Sequence, residues 1–148
     1  MLEAKQKGNL TELQCIAAFY ELGYSVSIPY GENSRYDFIA DVDNKLLRIQ
    51  VKTSTVAEDR SYIEFSCRSS RSNSSGCFNR SYTTEEIDYF ATYYNNQCYL
   101  IPITECYTSK KLRFYPPKNG QKIGINFAID YELRNQLEKI KQSVGCNQ

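Results

Sequence analysis

The chain has 148 residues, 41% hydrophobic and 14% aromatic, with a formal net charge of +1 and no histidine. That is apolar material for one domain, read as spanning residues 1–148, and no apolar run reaches the roughly 20 residues of a membrane helix. The missing histidine excludes a Ser-His-Asp triad and a histidine general base, and cysteines without a C-x-x-C pair give no zinc-site spacing.

In chain order, the polar start MLEAKQKGN has no secretory leader. It is read as the start of a cytoplasmic protein whose thiols (Cys15, Cys67, Cys77, Cys98, Cys106, Cys146) stay reduced. Asn9-Leu-Thr-Glu12 predicts a capping box opening a helix, with Leu13, Ile16, Ala17 and Tyr20 at helical spacing and Gly23 as its stop. Tyr24–Ile28 alternates as a strand. Tyr36–Val42 and Lys45–Thr53 read as a hairpin, and Ser61–Cys67 as a further strand. Arg68–Arg80 is a Ser/Asn/Arg-rich loop long enough to suspect function. Thr84 is expected to cap a helix through Tyr94, followed by strands over Gln97–Ile103 and Lys111–Tyr115. An amphipathic helix over Asp130–Gln142 ends the chain.

The hairpin, YDFIADVDNKLLRIQVK, raises a chemical question. A two-residue turn at Asp43-Asn44 fixes a register in which Ala40 opposes Leu47, Phe38 opposes Ile49 and Tyr36 opposes Val51, an apolar face. The other face pairs Asp37 with Gln50 and Arg35 with Lys52, with opposed Cβ atoms about 5 Å apart. A carboxylate, an amide and an ammonium then converge. Two oxygen ligands and a fixed cation suit hydrolysis of a phosphodiester: Mg²⁺ accepts carboxylate, amide and carbonyl oxygens, and an ammonium can hold the attacking water. The same pattern also describes the solvated face of an edge sheet.

These residues resemble the PD-(D/E)XK nuclease superfamily. The match comprises Glu12 in GNLTELQ, Asp37 in RYDFIAD, and Gln50 and Lys52 in RIQVK. GNLTE, the spaced GY-V--P-GE---YD and QVK are most similar to the small bacterial branch of group I intron-encoded homing endonucleases, as are EIDYFATYY and YLIPI. The likeness runs from about Gly8 to Ile103. It implies an α/β fold with a restriction-endonuclease-like core, a mixed β-sheet flanked by helices. It also implies a Mg²⁺ (or Mn²⁺) ion held by Asp37, Gln50 and the Val51 carbonyl with help from Glu12, and Lys52 activating the nucleophile. Tyr36 stands where the family has Pro, and Gln50 where it has an acid, which removes one negative charge from the metal site.

Charge distribution adds a candidate DNA surface. Arg60, Arg68, Arg71 and Arg80 face only Glu64 between residues 60 and 82, and Lys110, Lys111, Arg113, Lys118 and Lys122 follow without an acid between residues 109 and 122. Arg and Asn read guanine and adenine edges, so Arg68, Arg71, Asn73, Asn79 and Arg80 are candidate base readers. Lys110, Lys111 and Arg113, with Lys5, Lys7, Arg35 and Arg60, are candidate backbone contacts. One site cuts one strand, so double-strand cleavage calls for a homodimer or homotetramer, with the Tyr82–Ile103 segment and the last helix as candidate interfaces. The expected activity is site-specific cleavage of double-stranded DNA, as in homing. A Holliday-junction resolvase or repair nuclease, or a catalytically weak DNA-binding module, stands as the alternative.

Overall fold

The computed structural model describes residues 1–145. Helix α1 (Ala4–Glu21) begins five residues before the expected capping box. Glu3 and Gln6 form the box instead, so Glu12 lies in the middle of the helix, and Lys5 and Lys7 sit on it rather than ahead of it. Its buried face is Thr11, Cys15 and Phe19, while Leu13 and Tyr20, expected to point inward, are exposed. Gly23 at φ 91° closes the helix: its amide donates to Tyr20 and that of Tyr24 to Phe19, a Schellman end.

Strand β1 (Ser25–Ser27) leads to β2 (Phe38–Val42) and β3 (Lys45–Val51). Asp43 and Asn44 take φ of 52° and 71°, a type I′ turn, and the pairs Phe38–Ile49, Ala40–Leu47 and Val42–Lys45 follow the expected register. Phe38, Ala40, Val42, Leu47, Ile49 and Val51 enter one core with Cys15 and Phe19 of α1. The ladder stops at Phe38, two residues short of the expected strand start at Tyr36. The Asp37 amide turns onto the Ile49 carbonyl at 2.8 Å, so Asp37 does not pair with Gln50 nor Arg35 with Lys52, and Tyr36 packs into the opposite core.

Beyond a two-residue β4 (Thr55–Val56) and β5 (Tyr62–Ser66), the expected loop at 68–80 is a β-ribbon of β6 (Arg68–Asn73) and β7 (Gly76–Ser81). These strands pair only with each other, and nearly every residue on both is polar, so alternation leaves no hydrophobic signal. The helix expected over 84–94 is also a strand. A single turn closes where the Ile87 amide reaches the Thr83 carbonyl, and β8 (Tyr89–Tyr94) follows. Its aromatic and β-branched side chains favour a strand, and Asn95 and Asn96, at φ 49° and 64°, turn it into β9 (Gln97–Pro102). With β10 (Ser109–Arg113) and α2 (Leu133–Gly145) the fold is complete.

The main sheet runs β1-β2-β3-β8-β9, with β3 and β8 parallel and every other pair antiparallel. Both helices pack on one face, where Leu133, Leu137 and Ile140 of α2 join the first core. A smaller sheet, β10-β5-β4, covers the other face over Ile63, Ile87, Phe90, Ile101 and Leu112. This is the expected mixed α/β architecture. It buries the apolar faces of both expected interface segments, Tyr82–Ile103 and the last helix, within the chain. Cys15, Cys67, Cys77, Cys98 and Cys106 are free thiols, and Cys146 lies outside the described residues. Among the described residues no helix is long and apolar enough to cross a membrane.

Candidate active site

The site forms where β2 and β3 part. Strand β3 continues along β8, with Gln50 beside Phe90 and Val51 beside Ala91, while β2 has already ended. The Val51 N–H points toward the missing strand and would lack an acceptor. Asp37 fills the gap: its Oδ2 accepts that N–H at 2.8 Å, so a carboxylate occupies the place of a strand carbonyl. The side chains of Gln50 and Lys52 leave β3 on the side away from Val51 and the first core.

Glu12 approaches from α1, half-buried. Its neighbour Thr11 anchors that turn of the helix, donating to the Lys7 carbonyl at 2.9 Å and meeting Thr53 Oγ1 at 3.4 Å, just past Lys52. Burial raises the Glu12 pKa, and the charge of Asp37 raises it further. Burial also raises that of Asp37, against the Val51 amide and the Lys52 ammonium, which pull it down. Lys52 is lowered by burial; Asp37 opposes this and Arg35 adds to it. The Lys52 Nζ donates to the Arg68 carbonyl at 3.0 Å and stands 5.1 Å from the Tyr82 ring centroid. Asp37, just before β2, thus acts on both Glu12 of α1 and Lys52 just past β3.

Among the described residues no three His, Cys, Asp or Glu side chains gather as a metal cluster. The donors that do gather are oxygens, which suits a hard cation such as Mg²⁺. Glu12 and Asp37 repel each other in a half-buried setting, a cost that a divalent cation would relieve. Gln50 Nε2 donates to the Val51 carbonyl at 3.2 Å, and turning the amide over places Oε1 beside that same carbonyl. The residues therefore fit the ion that the sequence implies.

The basic residues divide sharply. Arg71 is exposed on the ribbon, as are Asn73 and Asn79, whose Oδ1 atoms accept from Ser75 N–H and Ser70 Oγ. Arg68 sits at its base, half-buried. Arg80 is 71% exposed yet pairs with Glu86 at 3.0 Å. Arg35 is consumed inside the protein: it donates to Ser81 O, Glu86 Oε1 and Ser69 Oγ and stacks 3.8 Å over Tyr82. Lys110, expected at a DNA backbone, is buried; its Nζ donates to Glu105 O at 3.1 Å and lies over the Tyr131 ring. Lys111 and Arg113 line the Tyr62 ring, with Lys111 outermost, and Arg60, Lys5 and Lys7 are exposed. The site residues that the sequence did not single out, Thr11, Thr53, Tyr82 and Glu86, act through contacts between distant segments and leave no local signal.

No curated protein sequence matches the chain significantly. Among solved structures, the bacterial homing endonuclease I-Ssp6803I superposes with a TM-score of 0.76 at 22% identity, covering 97% of each chain, which shows a shared restriction-endonuclease-like fold. The model of the PD-(D/E)XK endonuclease family matches residues 2–134, a span that includes Glu12, Asp37, Gln50 and Lys52, and the chain belongs to that family.

Proposed function

We propose that this nuclease is a Mg²⁺-dependent, site-specific endodeoxyribonuclease acting on double-stranded DNA as a homodimer or homotetramer of single-domain subunits. The observation that carries the reading is the Asp37 carboxylate braced on the Val51 amide between Glu12 and Lys52. Asp37, Gln50 and the Val51 carbonyl are the cation's ligands in this reading, and Glu12 supports them or orients a water. A bound divalent cation supplies charge neutralisation and an acidified water. Lys52 has donors left beyond its bond to Arg68, and its ammonium offers them to the attacking water or to the developing charge on phosphate.

Site specificity is assigned to the ribbon. A two-stranded ribbon fits the major groove, and Arg71, Asn73 and Asn79 carry the side-chain chemistry that reads base edges there. This favours a homing-type endonuclease over a junction-resolving or repair nuclease. A weak DNA-binding module stays in view because Gln50 is neutral. Incubating supercoiled plasmid bearing candidate sites with 10 mM-range Mg²⁺ (about 10 mM) or with chelator separates these readings. The expected result is Mg²⁺-dependent linear product that falls at least about 10²-fold in Lys52→Ala. DNA binding without cutting by either protein would leave the module, and cutting of branched substrate alone would leave the resolvase.

A further inference from the structure

A cleft of about 490 Å³ opens past the C-terminal end of β3, on the sheet face opposite the two helices, lined by Arg60, Tyr94, Tyr99, Phe114, Tyr115 and Glu132. Phe114 forms a floor with Tyr94 at 5.5 Å and 31° and with Tyr99 at 6.4 Å. Tyr115 stands at the rim, 63% exposed. Arg60 is held there by a turn at φ 59°, its amide donating to the Ala57 carbonyl. The three ion pairs among the described residues involve neither Arg60 nor Glu132. An aromatic floor thus lies between a guanidinium and a carboxylate that do not neutralise each other. Tyr94, Tyr99 and Phe114 pack on the second core, while Arg60 and Tyr115 stand exposed beside them.

We infer that this cleft binds an unpaired nucleotide, its base stacked on the exposed Tyr115 ring at the edge of the Phe114 floor, its phosphate on Arg60 and a base amino group on Glu132. Stacking on aromatic rings accepts any base with a free face, and a base inside a duplex has none. Glu accepts from an exocyclic amine, and Arg pairs with phosphate. Tyr94 follows Ala91, the neighbour of Val51, by three residues, about 10 Å along the strand. A strand held at the Asp37 site therefore passes within reach. The inference rests on the nuclease reading only for its source of nucleotide, the DNA itself; a free nucleotide has the same chemistry.

Binding of two duplexes at 150 mM-range salt (about 150 mM) tests this, one fully paired and one carrying a single bulged 2-aminopurine, with fluorescence reporting on stacking. The expected result is a preference of at least about tenfold for the bulged duplex with quenching of the probe, lost in Tyr115→Ala and in Arg60→Gln. Both positions are exposed, so neither variant disturbs a core. Deoxyadenosine monophosphate that displaces the probe below about 1 mM, and binds wild type but neither variant, identifies free nucleotide as the source and still supports the cleft. Equal affinity for the two duplexes together with no monophosphate binding overturns it, as does a preference that survives in both variants. Cleavage of the paired duplex in the same samples reports on the nuclease reading separately.

Discussion

At Asp37 a single side chain does two jobs. It ends a strand ladder by accepting the Val51 amide, and its charge acts on both Glu12 and Lys52. Replacing it with Asn keeps the size and removes the charge that Lys52 senses. Gln50 offers the complementary experiment. Gln50→Glu supplies the acid that the PD-(D/E)XK signature has at this position and adds a negative charge beside the proposed ligands. The Mg²⁺ concentration for half-maximal cleavage should then fall several-fold; an unchanged or higher requirement would remove Gln50 from the ligand set. Away from the site, Arg48 and Asp88 form a two-point pair at 3.0 and 3.1 Å, with the Arg48 amide adding a third bond to Asp88 at 2.8 Å. Both side chains are about a third exposed, so Asp88→Ala should lower stability by only about 1–2 kcal/mol in urea unfolding.

Among the elements, the hairpin was the most legible because its turn chemistry fixes its register. Asp43-Asn44 carries positive φ at both positions, and Asn44→Ala, at φ 71°, should cost about 1 kcal/mol. The same signal stood at Asn95-Asn96 between two apolar runs. The helix expected over 84–94 rests on Thr84 as a cap, and β8 and β9 instead form a second hairpin about that turn. The ribbon was illegible for another reason: its strands bury nothing, and its attachment depends on Glu86, which ties Arg35 of one segment to Arg80 of another. Burial pushes the Glu86 carboxyl up, but the bonds from Arg35, Thr83 and Arg80 outweigh it and hold the pKa below the ordinary value. Its contribution is therefore complete above the ordinary glutamate value of about 4.5 and is lost as pH falls through the lower folded value. Proteolysis of the ribbon should increase below about pH 4 in wild type. In Glu86→Gln it should already be high at pH 7, without that pH step.

For the molecule as a whole, the mixed-sheet fold class follows from the family resemblance, whereas local periodicity marks the first and last helices and most core strands and mistakes β8 for a helix. The site did not emerge as cleanly. Glu12 could be nominated from the resemblance but not from the capping box, which lies at Glu3 and Gln6. Lys110 looked like a solvated charge because β10 starts two residues earlier than expected, which turns its stem toward the second core. With the apolar faces of both expected interface segments buried, Leu10, Leu13 and Tyr20 of α1 remain as exposed apolar side chains on a helix. Sedimentation of the pure protein should give two or four times the 17.1 kDa subunit mass, and a monomer at micromolar concentration would confine it to nicking.

The central claim is that Asp37 and its neighbours hold a divalent cation while Lys52 acts on the reaction and not on the ion. Titrating Mn²⁺ into wild type, Asp37→Asn and Lys52→Ala, and measuring DNA cleavage by the same samples, tests it directly. The account predicts that Asp37→Asn loses both Mn²⁺ binding and cleavage, whereas Lys52→Ala keeps the ion and loses cleavage. Mn²⁺ binding by Asp37→Asn equal to that of wild type would contradict it.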